Sequence, residues 1–206
     1  MTERRETAIG TRQLRRRRVL QGCCGLALAA PLAAHGDDSD EAAAVPRDND
    51  ALVFAYGDRA GQVIAPGDVS VGAKQILAFP MDPVTRRVRD ASRLNQLIVV
   101  RLDASKFTAE TAARAADGIV AYSGVCTHTG CDVTDWYADV LHFKCPCHES
   151  EFDPADAARV VGGPAPWQLA ALPLKIVAGA LAVAGPFVGR VGFAAPGADP
   201  FGPAPP

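Results

Sequence analysis

Residues 126–131 read CTHTGC and residues 145–150 read CPCHES. Together these two stretches hold four of the six cysteines and two of the four histidines in the chain. Each stretch sets cysteine and histidine on one short loop, so two loops can converge on a single centre. Three chemistries suit such a set. A structural zinc site could take Cys126, His128, Cys145 and His148, but CxH and CxxH are unusual finger spacings, and Cys131 and Cys147 would have no task. A Cys–His nucleophile needs one cysteine rather than four, and an exported thiol oxidises readily. A [2Fe–2S] centre in which two histidines replace two cysteines on one iron has a use for the whole set.

The stretches CTHTGC at 126–131, CPCHESEFD at 145–153 and GGPAP at 162–166 closely resemble those of the Rieske iron–sulfur proteins. The resemblance in specific motifs runs over about residues 118–173. It implies that Cys126 and Cys145 hold one iron of a [2Fe–2S] cluster and His128 and His148 the other. It further implies that a Cys131–Cys147 disulfide ties the two loops and that Gly163, Pro164, Ala165 and Pro166 form a loop covering the cluster. Ser150 stands where the family places a hydroxyl donating to a bridging sulfide. Low-potential Rieske ferredoxins and ring-hydroxylating oxygenases lack the second cysteine pair. An oxygenase also needs two histidines and a carboxylate for a further iron, and only His35 and His142 remain. The resemblance therefore points to the exported high-potential branch. That branch includes the Rieske subunit of ubiquinol–cytochrome c reductase and the small subunit of arsenite oxidase.

Imidazoles donate less charge than thiolates, so the iron they hold accepts an electron more readily, in a window of roughly -150 to +300 mV. Hydrogen bonds to the cluster sulfurs raise the potential further. Three residues depart from the family pattern. Phe152 replaces the tyrosine of quinol-oxidising members and has no hydroxyl to donate, which predicts a lower potential. Thr129 replaces a bulky Leu or Met. Glu149 replaces a glycine beside His148, where a carboxylate opposes electron gain unless it points into water.

The elements that must position these loops read as strands: ALVFAY (51–56), QVIA (62–65), KQILAF (74–79), NQLIVVRL (95–102) and GIVAYS (118–123), with two or three more in 168–193. A charged loop spans 82–92, and 106–118 has helical character ending at Gly118. The expected fold is all-β, an antiparallel β-sandwich or barrel with the cluster-binding subdomain inserted between its strands. His142 reads as a strand residue ahead of the second loop.

Upstream, RRRRVLQG at 15–22 precedes an apolar run, the layout of an export signal, with Arg16 and Arg17 as a twin-arginine pair. Val19 to Ala34 is sixteen residues, short of the roughly 20 of a spanning helix. Cleavage and retention as an inner-membrane anchor are both compatible with it. The chain thus divides into a signal or anchor (1–34), an acidic linker (35–50), a Rieske domain (51–195) and a loose Pro/Gly-rich tail (196–206). Residues 1–34 carry seven Arg and two Glu, whereas residues 35–206 hold fourteen Lys and Arg against twenty-one Asp and Glu. Such an acidic body does not suggest nucleic acid. The expectation is a periplasmic one-electron carrier with no catalytic site of its own. Its donor would be a cytochrome b-type protein, quinol or a molybdenum enzyme, and its acceptor cytochrome c or a similar protein.

Overall fold

The computed structural model describes residues 38–193. The export segment with Arg16 and Arg17, and the tail 196–206, lie outside the described residues. Among the described residues, no helix is long and apolar enough to cross a membrane.

The strands in chain order are β1 (Ala51–Phe54), β2 (Ile76–Met81), β3 (Leu97–Arg101), β4 (Ile119–Ser123), β5 (Asp135–Tyr137), β6 (His142–Lys144), β7 (Glu151–Asp153), β8 (Arg159–Gly162), β9 (Ala171–Leu172), β10 (Leu174–Val177) and β11 (Ala180–Val183). They form a 7-stranded sheet ordered β10-β11-β1-β2-β3-β4-β9 and a 4-stranded sheet ordered β5-β6-β7-β8. All strand pairs are antiparallel. The smaller sheet is inserted between β4 and β9, as the sequence led one to expect. The large sheet nearly closes on itself, because β9 pairs with β4 while β10, one residue later, pairs with β11. Pro173 stands at the changeover, where its missing N–H suits a break in the ladder.

The alternation of β3 and β4 fixes where the site can sit. Leu97, Val99, Ile119 and Ala121 face one core with Leu52, Ile64 and Leu181, inside the curled sheet. Ile98, Val100, Val120 and Tyr122 face a second core with Cys126, Val133, Phe143, Cys145 and Phe152. A strand presents successive side chains to opposite faces, so these two strands serve both cores and carry the inserted sheet on their outer face.

Three expectations need correction. The helix expected over 106–118 shrinks to a 3₁₀ turn at Ala104–Lys106 and a short α2 at Ala109–Ala112. Asp117 and Gly118 take positive φ (52° and 72°), and Ala116 and Ile119 exchange both backbone hydrogen bonds. This two-residue Asp-Gly hairpin draws the end of the segment into the sheet. QVIA forms only an isolated bridge, Val63 to Val53. Residues 38–50, expected as a linker, are folded onto the body. Asp38–Ala43 form α1. Arg89, from the loop read as merely charged, is wholly buried. It pairs with Asp50 at 2.6 Å and with Glu41 at 3.1 Å. Asn95 adds a hydrogen bond to the Ala44 carbonyl at 2.8 Å.

Candidate metal centre

The first loop leaves β4 and the second joins β6 to β7, and the two are built alike. The Gly130 N–H donates to the Cys126 carbonyl at 3.0 Å, and the Cys126 N–H to the Cys131 carbonyl at 2.8 Å. In the second loop the Glu149 N–H donates to the Cys145 carbonyl at 3.0 Å, and the Cys145 N–H to the Ser150 carbonyl at 2.9 Å. Both turns need a left-handed residue, and Gly130 (φ 81°) and Glu149 (φ 60°) supply it. A Cβ at 130 would also lie 2.6 Å from the exposed Phe193 ring, which would have to move aside. At 149 the chain places a glutamate in a conformation that favours glycine.

The loops bring the expected residues together. Cys131 and Cys147 form a disulfide with Cα atoms 6.5 Å apart. Cys126 and Cys145 are free, and both are buried. The sulfurs of Cys131, Cys145 and Cys147 lie within 4.8 Å of one another. Since two of these are bonded to each other, Cys145 is the only thiol of that trio, and the disulfide packs against it. The His128 and His148 rings meet edge to face, with centroids 4.7 Å apart. His148 is exposed and His128 half-buried.

Two features fit this pocket to a metal group. His128 Nδ1 is a buried nitrogen with no hydrogen-bond partner, and such atoms are rare without a ligand or water. Burial pushes the Cys126 thiol up to about 11; the neighbouring Cys145 adds to this, while the His128 N–H and the Ser150 hydroxyl oppose it. A thiol so reluctant to ionise keeps its proton unless a cation takes its place. Two buried thiols and two imidazoles, one of them at the surface, match the donor set of a mixed-ligand [2Fe–2S] cluster.

The third loop closes over both others. The Ala165 N–H donates to Ser150 Oγ at 3.1 Å, which leaves the wholly buried Ser150 hydroxyl proton free to reach the Cys126 sulfur. The Thr127 hydroxyl donates to the Trp167 carbonyl at 2.6 Å. Gly163 (φ 78°) lies so close that a Cβ would sit 2.5 Å from Ser150 Cα. Pro164 and Pro166 are exposed, and Ala165 is buried. Phe152 is fully buried and pairs across the sheet with Phe143. Thr129 is exposed. His142 opens β6, with Nδ1 3.7 Å from Glu151 Oε2.

Two contacting residues were not singled out by sequence. Thr127 binds the cover loop, and its only signal is its place between two ligand candidates. Lys144 reaches Glu149 Oε1 at 2.9 Å and also bonds the Tyr137 hydroxyl. Tyr137 first and Glu149 second hold the Lys144 ammonium in its charged form. Glu149 therefore does not simply face water. Residues 124–170 carry seven Asp and Glu against two Lys and Arg, so the inserted unit is strongly acidic.

A Rieske [2Fe-2S] domain profile matches residues 71–173. The cytochrome bc1 complex Rieske iron-sulfur subunit of Streptomyces lividans is 38% identical over 108 residues, covering 50% of this chain and 61% of that protein. A Haloferax mediterranei protein provisionally named the Rieske subunit of a respiratory nitrate reductase is 47% identical over 83 residues, or 40% of this chain and 36% of its own length. The chain thus spans less than two thirds of either relative. Among solved structures, the ferredoxin of carbazole 1,9a-dioxygenase from Nocardioides aromaticivorans IC177 overlays with a TM-score of 0.40 at 18% identity, covering 60% of this chain and 94% of that one. That overlay is too loose to carry functional weight. The profile spans half of the sequence and takes in both Cys/His loops and the cover loop: this chain belongs to the Rieske [2Fe–2S] family.

Proposed function

We propose that this protein passes one electron at a time as the Rieske subunit of an exported ubiquinol–cytochrome c reductase-like complex. Cys126 and Cys145 hold one iron, and His128 and His148 the other. The observation that carries this reading is the convergence of two buried free thiols with two imidazoles 4.7 Å apart, one of them exposed. When bound, the cluster supplies a one-electron couple whose potential is raised by its imidazole ligands. Around it the chain acts through its own residues. The disulfide ties the loops, and Ser150 donates toward sulfur. Gly163, Pro164, Ala165 and Pro166 exclude water from the thiol side, and the exposed His148 edge faces the partner or quinol.

The electron donor is a cytochrome b-type subunit and its quinol, and the acceptor is cytochrome c or a similar protein. An acidic cluster-bearing unit suits an acceptor with a basic face. The working domain is 51–195, with its cluster part at about 118–173. Residues 1–34 direct twin-arginine export to the periplasm and stay as an inner-membrane anchor or are cleaved.

A second reading, the electron-transfer subunit of an arsenite-oxidase-like molybdenum enzyme, is favoured by Phe152, which offers no hydroxyl beside the ligand loop. The test is EPR of the dithionite-reduced protein, followed by purification of the native complex. A [2Fe–2S] signal with a co-purifying cytochrome b and quinol-dependent cytochrome c reduction supports the first reading. A co-purifying molybdenum subunit supports the second. An EPR-silent protein that contains zinc overturns both.

A further inference from the structure

The Rieske reading leaves unexplained why the second loop places a glutamate at a left-handed position. Gly130 serves the equivalent turn of the first loop with the same hydrogen bonds, so backbone geometry alone asks only for glycine at 149. The glutamate adds a side chain that glycine lacks, and that side chain has a partner. Its carboxylate meets Lys144, whose side chain is only 13% exposed while that of Glu149 is 76% exposed. Lys144 is the last residue of β6 and immediately precedes Cys145. Its ammonium also bonds the Tyr137 hydroxyl and lies 4.6 Å from the centre of the Tyr137 ring. Tyr137 ends β5, an edge of the small sheet. The three side chains therefore run from the rigid sheet to the residue beside His148.

We propose that Lys144 is a positioning residue for the second ligand loop: clamped by Tyr137, it holds Glu149 and with it the turn that presents His148, and it offsets the carboxylate charge beside the centre. The inference rests on the cluster being held by Cys145 and His148. Two effects follow from one contact. The bond resists opening of the turn. The ammonium also cancels a negative charge that would disfavour the reduced, more negative state.

The experiment compares Lys144→Met, Lys144→Arg and Glu149→Gln in the full chain. Redox titration followed by EPR gives the midpoint potential, and hydrogen–deuterium exchange reports on peptide 145–150. Lys144→Met leaves Glu149 unpaired and lowers the potential. Glu149→Gln removes the negative charge and raises it. A several-fold change in the oxidised-to-reduced ratio at fixed potential is expected in each direction, and Lys144→Arg stays near the parent. Both Lys144→Met and Glu149→Gln take up deuterium faster in the loop. A purely structural contact would move the potentials of these two variants together. Potentials that stay put or shift with the same sign overturn the proposal, as does unchanged loop exchange in both. Glu149→Gln alters an exposed side chain and remains informative if Lys144→Met does not fold. Failure of the cluster reading itself shows in the unmutated protein, as absence of the [2Fe–2S] signal.

Discussion

Replacing Gly163 by alanine tests whether the cover loop is held by direct backbone contact with the second ligand loop. At Gly163 φ is 78°, and a Cβ would lie 2.5 Å from Ser150 Cα, 2.7 Å from the Glu149 carbonyl oxygen and 2.7 Å from the Ser150 nitrogen. All three atoms are backbone, so no side chain can swing aside. Gly179 supplies the control. Its φ is 80°, and a Cβ there meets nothing within 4 Å. Both substitutions carry the left-handed cost of an alanine, about 1–2 kcal/mol. Only Gly163→Ala adds overpacking, about 1–3 kcal/mol more. For a domain of this size that excess corresponds to a further fall of roughly 2–12 °C in melting temperature. The displaced strip begins two residues before Ala165, whose N–H holds Ser150 Oγ, so the buried thiols open to water. The assay is paired thermal melts of the two variants, with loss of visible absorbance over time as a second readout. If Gly163→Ala melts with Gly179→Ala and keeps its colour as long, the cover loop is not braced on the ligand loop and the reasoning is refuted.

Four more perturbations follow from the same contacts. Ser150→Ala removes the hydroxyl donated toward Cys126, and a net hydrogen bond of about 0.5–1.5 kcal/mol corresponds to a midpoint potential lower by roughly 20–60 mV; an unchanged potential in a redox titration contradicts the donor role. Converting both Cys131 and Cys147 to serine releases a loop with a sequence separation of 16 and costs about 3 kcal/mol, read as a lower denaturant midpoint. Arg89→Met strands Asp50, which is 2% exposed, and should cost about 3–5 kcal/mol; melting as in the parent would show that residues 38–50 are not anchored there. The Asp68 carboxyl is held below its usual range by Arg59, and that of Asp82 by the Thr85 N–H. Because these folded values are depressed, their contribution is complete above the ordinary carboxylate range and lost as pH falls through the folded values. Melting temperature should therefore decline below about pH 4, with no contribution from these groups to any change between pH 6 and 8.

The parts of this molecule legible in its sequence are those that depend on residue type at short range. Both ligand loops declare themselves, because each keeps its cysteine and histidine within six positions and its turn is closed by bonds between Cys126 and Cys131 or between Cys145 and Ser150. The β-branched run of β3 announces a strand for the same local reason. What stayed hidden depends on partners distant in the chain. The strands β5 to β8 are three or four residues long and too short to show a period. Arg89 looks like one more charge in a surface loop, and only folding brings Asp50 and Glu41 to it across 39 and 48 positions. Glu149 was legible as a departure from pattern, but its meaning lay in a positive φ and in Lys144, neither of which a linear reading supplies.

The division of the centre between core and surface follows from how the small sheet is mounted. Cys126 and Cys145 belong to the same apolar cluster as Ile98, Val100, Phe143 and Phe152. The two buried thiols are thus part of the interior, and moving either sulfur means disturbing residues of β3, β6 and β7. His128 and His148 are outside that cluster, half-buried and exposed respectively. Under the proposed function, partner recognition would fall to the exposed residues of the second and third loops, Pro146, His148, Glu149, Pro164 and Pro166. On that reading, changes to those exposed side chains should alter docking while leaving the fold intact. Changes to Phe143, Phe152 or Val100 of β3 should unmake the site and the core together, because the sulfur half of the centre is part of that core.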